Sequence, residues 1–293
     1  MVTNSTSGKL FHAANSVFLL VLAILCLLPL VNVLAVSLSS STAASAGLVK
    51  LWPVDFTWKA YAYVLQKPEF LRAFTVSLER VALGTTLNMV LTITLAYPLS
   101  KEPAAFAGRL FYVWFFVVTM LVSGGLIPWY LIIQQLGMLG SIWALVLPGA
   151  VNVFNVVLLL NFFRNLPKEL EEAAFVDGAG HWRILWSIFV PLSLPALATL
   201  ILFTMVGHWN SWFDGLILMN SPNDYPLQSY LQTVVINRDL SLITMADAET
   251  LAMVSDRTMK GAQIFLAALP IICVYPFLQR FFIKGIVMGS VKE

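Results

Sequence analysis

Two short stretches hold most of the residue types that could do chemistry in this 293-residue chain. The first is His208-Trp209-Asn210-Ser211-Trp212-Phe213-Asp214. It sets flat aromatic faces among amide, hydroxyl and imidazole groups. A sugar ring has an apolar face and a hydroxyl rim, so it suits such a surface. His208, Trp209, Asn210, Trp212 and Phe213 are therefore candidates to line a solute path, together with Asn152 and Asn155, two amides in an apolar stretch. The same residue types also anchor spans at membrane interfaces or join helices by hydrogen bonds, and both roles stay open for them. The second stretch runs Asn165-Leu166-Pro167-Lys168-Glu169-Leu170-Glu171-Glu172-Ala173-Ala174-Phe175-Val176-Asp177-Gly178-Ala179-Gly180. Pro167 suits a first helical turn, where its missing N–H is not needed. Glu169, Glu171 and Glu172 favour the positive end of the helix dipole. Gly178 and Gly180 end the helix, and a second short helix is predicted from His181 onward. This is a compact helix-turn-helix knob. Ala173 and Ala174 keep its surface low enough to enter a groove, although an amphipathic connector resting on a membrane would also read this way.

The elements that must hold these groups are apolar. Hydrophobic residues make up 59% of the chain and charged residues 11%, with a mean hydropathy of +0.84. Soluble domains carry roughly 25% charged residues, so this surface must face something other than water, and lipid is the simplest candidate. A net charge of +2 is too small to argue for nucleic acid. Three scattered histidines have no metal-ligand spacing, and Cys26 and Cys273, both in apolar runs, read as small buried hydrophobes. Nothing matches the Gly-x-x-x-x-Gly-Lys phosphate loop, so ATP and Mg have no expected site on this chain. No nucleophile–base pair suggests an enzyme.

A bilayer core takes about 20 apolar residues as helix. Six segments reach that length, near 15–37, 74–99, 110–133, 141–163, 184–213 and 263–283. The fold class expected is therefore an all-α integral membrane protein with six transmembrane helices. A small-residue stretch at Ala44-Ser45-Ala46 resembles a signal cleavage site, but the run before it exceeds the roughly 7–15 residues of a signal core. A retained first helix is expected. Lys101, Arg109, Arg164, Lys168, Arg183, Lys284 and Lys292 fall in alternate loops and the tail, which by the positive-inside rule places both termini on the cytoplasmic side. The expected divisions are an N-terminal cytoplasmic segment 1–14, a first span 15–37, an external loop 38–72, a five-helix core 73–283 with a cytoplasmic loop at 165–183, and a tail 284–293. Glu79 and Arg80, adjacent near the start of the second span, are expected to pair across a subunit interface.

Glu172-Ala173-Ala174, then Asp177-Gly178-Ala179, then Pro191, placed between spans four and five, resembles the EAA loop of permeases in binding-protein-dependent ABC importers. The likeness covers nearly the whole chain. Gln279-Arg280-Phe281-Phe282-Ile283-Lys284-Gly285 resembles the closing segment of the carbohydrate-uptake branch, which includes the maltose importer's smaller permease. Val122-Ser123-Gly124-Gly125-Leu126-Ile127-Pro128 and Tyr225-Pro226-Leu227-Gln228 resemble a subgroup handling complex oligosaccharides, including the permeases of the alginate importer.

The resemblance implies a type I ABC importer permease fold in the bacterial inner membrane. It implies partners as well: a second homologous permease, two ATP-binding subunits carrying ATP and Mg, and an external or periplasmic solute-binding protein. The cargo implied is an oligosaccharide, with alginate or a related acidic polysaccharide as the finer expectation. Glu171, Glu172, Ala173, Ala174, Asp177, Gly178 and Ala179 would form the surface that couples to the ATPase. The rival reading is an ion-coupled secondary transporter, which would call for internal repeats and mid-span acids. Neither is evident here.

Overall fold

A computed structural model describes residues 6–236 and 255–289. Every element among the described residues is helical. In chain order the α-helices are α1 Thr6–Ser37, α2 Ser41–Ser45, α3 Lys59–Gln66, α4 Pro68–Ser100, α5 Arg109–Leu121, α6 Leu126–Gln135, α7 Ile142–Val146, α8 Val153–Arg164, α9 Lys168–Val176, α10 His181–Ile184, α11 Val190–Leu192, α12 Leu194–Asn210, α13 Phe213–Leu218, α14 Leu227–Leu231 and α15 Asp256–Gly289.

Three of these are long and apolar enough to cross a membrane alone: α1, α4 and α15. The other predicted spans are not single straight helices. The third is broken between α5 and α6 by a 113° bend, the fourth is bent by 47° between 149 and 153, and the fifth by 82° at Ser193. Counting each bent pair as one gives six spans.

The breaks have local causes. Gly125 sits at φ 85°, a backbone conformation that residues with a Cβ rarely adopt, and it turns the chain from α5 to α6. In the fifth span Pro191 and Pro195 each lack the N–H that a continuous helix needs. The turn before Pro191, Leu185–Phe189, widens to a π-helix, a known way to absorb such a misfit. Isolated Pro29, Pro98, Pro270 and Pro276 remain inside unbroken helices.

The chain divides into two compact units, one from residues up to Leu71 with Leu231–Leu269, the other from Arg72–Tyr230 with Pro270 onward. In the first unit α1 and α2 are tied to their neighbours by small and polar groups. Ser37 and Tyr61 share a 2.7 Å hydrogen bond, Ser255 N–H donates to Ser41 Oγ at 2.9 Å, and Arg257 donates to the Ala44 carbonyl at 3.2 Å. Gly261 lets α15 approach α1 closely, since a Cβ there would lie 3.3 Å from the Val33 carbonyl. Most of α1 is exposed within this chain, Phe18 at 60% for example, as a lipid- or partner-facing helix must be. Cys26 and Cys273 are also exposed, which corrects the expectation that they are buried. Their apolar neighbours face outward with them, because in a membrane an apolar run does not mark an interior.

In the second unit one core joins α4, α8, α9 and α12. Ala96, Leu159, Phe163, Ile184 and Leu200 are all buried in it, and Ala174 of the knob belongs to the same cluster. A polar hub sits among these helices. Asn155 donates to Thr204 Oγ1 at 3.1 Å and to Asn88 Oδ1 at 3.4 Å, and Asn88 donates to the Ala150 carbonyl at 3.1 Å. Amides bonded across helices in this way hold spans together where lipid offers no alternative partner.

Candidate functional site

The knob is built almost as its residue order dictates. Helix α9 starts one residue later than expected, with Pro167 as N-cap rather than in the first turn, a shift within the usual ambiguity of helix ends. It closes with a Schellman motif. Gly178 N–H bonds to the Phe175 carbonyl at 3.0 Å and Ala179 N–H to the Ala174 carbonyl at 2.9 Å, while Gly178 takes φ 77°. Together these satisfy carbonyls that a helix end would leave open.

The alanine pair is split by helical rotation. Ala174 is buried at 8% in the unit's own core, whereas Glu172 and Ala173 are exposed. Val176 at 88%, Phe175 at 43% and Leu170 at 42% are exposed as well. The outward face of the knob is therefore a small residue ringed by apolar side chains, with Asp177 at its end. Glu171 points the other way, and its Oε1 accepts from Lys101 Nζ at 2.6 Å. Burial holds the Lys101 ammonium's pKa below the ordinary lysine value, and Glu171 offsets that only in part.

A cleft of about 340 Å³ lies between α4, α7 and α12, lined in part by Arg80, Trp129, Asn152, Thr204, His208 and Asp214. Of the solute-path candidates, Asn152 and His208 are brought together here. Asn155 is 2% exposed within the polar hub. Trp209 is buried edge-on to Phe74, with ring centroids 5.7 Å apart. Asn210, Trp212 and Phe213 are exposed. Gly84 makes room for His208, since a Cβ at that position would lie 2.4 Å from the imidazole Nε2.

Arg80 does not wait for a partner on another subunit. It is 3% exposed and bonded to Asp214 through both terminal nitrogens, at 3.1 Å from Nη1 to Oδ1. Asp214 also accepts from Ser211 Oγ at 2.8 Å and from the Gly215 N–H at 2.9 Å. Glu79, the neighbour on the helix, is exposed. A charge inside an apolar segment was the available signal for Arg80. Its partner lies 134 residues away, and sequence spacing could not supply it.

The sequence pattern of the binding-protein-dependent transport system inner membrane component family matches residues 70–287. The chain belongs to that family. This permease is 40% identical over 289 residues to Protein LplC of Bacillus subtilis (strain 168), covering 99% of this chain and 97% of the relative. It is 37% identical over 285 residues to the polygalacturonan/rhamnogalacturonan transport system permease protein YtcP of the same organism, covering 97% of this chain and 99% of the relative. Its fold is that of a crystal structure of a bacterial ABC transporter involved in the import of the acidic polysaccharide alginate. The TM-score is 0.88 at 31% identity, over 96% of this chain and 100% of the matched one. The type I importer permease fold thus holds for the chain. The permease works in a membrane, beside a partner permease, an ATP-binding subunit and a solute-binding protein, as importers of this family do.

Proposed function

We propose that this permease forms one half of the path by which a carboxylate-bearing oligosaccharide crosses the bacterial inner membrane. The observation that carries this reading is likeness over nearly the full chain to a polygalacturonan/rhamnogalacturonan permease and to an alginate importer. All three of those polymers contain acidic sugars. The second permease is a different, homologous chain. Two ATP-binding subunits hold ATP and Mg, while the permease itself is not catalytic and binds no cofactor. A solute-binding protein delivers the sugar on the external face, and both termini of the permease lie in the cytoplasm. The outward face of α9, with Glu172, Ala173 and Val176, docks on one ATP-binding subunit. The cleft with Asn152, His208 and Trp129 lies on the sugar's route, where an aromatic face and hydrogen-bonding groups meet.

The test is ATP hydrolysis by the reconstituted complex in vesicles, with the binding protein supplied. Oligogalacturonate or oligoalginate should stimulate hydrolysis and be taken up. Stimulation by neutral maltodextrin alone would overturn the acidic-sugar reading.

A further inference from the structure

The knob is joined by the backbone to two spans only, through 165–167 to α8 and through 177–180 to the α10–α12 span. A third attachment is made by side chains. Lys101, just past the end of α4, places its ammonium 2.6 Å from Glu171 Oε1 of α9, 3.8 Å from the centre of the Tyr97 ring and 4.2 Å from that of Phe189. The two ionised side chains are only 11% and 19% exposed. Beside them Tyr97 Oη meets His181 Nδ1 at 3.2 Å, at the start of α10. Glu102 and Lys168 form a second ion pair between the same two segments. That outer pair is solvent-exposed and of a kind that contributes little. The inner one is different. A cation held between a carboxylate and two aromatic faces, away from water, is strongly located.

We propose that Lys101 and Glu171 form a staple that makes the knob and the end of α4 move as one body, so that a push on α9 reaches the second span as well as the fourth and fifth. In this role Lys101 and Glu171 are positioning residues, because neither touches solute or nucleotide. The proposal rests on the reading that α9 docks on an ATP-binding subunit. Motion arriving at α9 through its exposed face would otherwise reach α4 by way of the packed core around Ala174 and the exposed Glu102–Lys168 pair. The staple adds a directional link at the far side of the helix, and α4 is the span that carries Arg80 and Asn88 into the cleft.

The experiment uses the whole complex in vesicles, with Cys26→Ser and Cys273→Ser in the permease. The ratio measured is sugar taken up per ATP hydrolysed, beside recovery of the ATP-binding subunits on pull-down. Lys101→Met should keep those subunits bound, because the exposed face of α9 is untouched, yet lower the ratio by about tenfold, a coupling loss of ordinary size. Lys101→Arg should retain most of it. Lys101→Cys with Glu171→Cys should be uncoupled until a short bismaleimide joins the two thiols, and then recover uptake. An unchanged ratio in Lys101→Met, or a bridged variant that hydrolyses ATP without transport, would overturn the staple while leaving the docking reading intact. Absence of ATP-binding subunits from the unsubstituted complex would overturn both together.

Discussion

Ala173 and Ala174 are adjacent and chemically identical, yet the helix turns one outward and the other into the core. Their substitutions should therefore fail in different ways. Ala173→Arg puts a long charged side chain on the docking face, where it should reduce recovery of the ATP-binding subunits and leave the permease stable in detergent. Ala174→Arg forces the same group among Leu159, Phe163 and Ile184. Overpacking alone costs typically about 1–3 kcal/mol, and an unpaired buried charge adds to it. That variant should be lost at the level of folded protein. Pull-down and size-exclusion profiles of the two variants distinguish the cases, and equal folding of both would contradict the split. The same logic separates two tryptophans. Trp209 is buried edge-on to Phe74, and Trp209→Ala should destabilise assembly by about 3–5 kcal/mol. Trp212 is 41% exposed, and Trp212→Ala should leave the assembled complex intact. A fall in uptake by intact Trp212→Ala complexes would place this side chain on the sugar's route, while wild-type uptake would remove it.

At the scale of elements, the fifth span is the clearest case of a segment whose apolar length was legible and whose course was not. Its residues read as one run from Ile184 to Phe213. Two prolines and a π-turn divide it with an 82° bend. Beyond its end, Asp214 in the first turn of α13 clasps Arg80 of α4. Removing one partner of a buried ion pair leaves the other charge uncompensated and costs about 3–5 kcal/mol, whereas replacing both by apolar residues can be nearly neutral. Arg80→Met should therefore lower the unfolding midpoint of the purified complex sharply, and Arg80→Met combined with Asp214→Leu should recover much of the loss. A double variant no better than the single one would show that the pair is not the relevant unit. Because both residues also line the cleft, uptake by the stable double variant reports whether charge there is needed for transport as well as for folding.

At the scale of the whole molecule, the placement of basic loops argues that both termini face the cytoplasm, and the external segments then include Asn223. On a background without Cys26 and Cys273, Asn223→Cys should react with an impermeant thiol reagent in intact cells and Lys9→Cys should not. Strong labelling at position 9 would break the even-span arrangement. Residues 237–254 of the expected five-helix core and residues 290–293 of the expected tail lie outside the described residues.

Composition and run length were sufficient to establish an all-helical membrane protein with six apolar segments, because lipid forces every backbone polar group to be satisfied within a segment. The knob was legible for a related reason. Its proline, acids and glycine act through local backbone geometry, and the Schellman closure of α9 joins residues no more than five positions apart. What the residue order did not determine is which side of each helix turns inward and which distant charges meet. Arg80 finds Asp214 across 134 positions and Lys101 finds Glu171 across 70. Asn155 is drawn into a hub with Asn88 and Thr204, while Asn152, three residues earlier, lines the cleft. In a chain this apolar, hydropathy barely varies around a helix, so the inward face carries no signature of its own. Packing between spans decides it, and only the tertiary structure contains that packing.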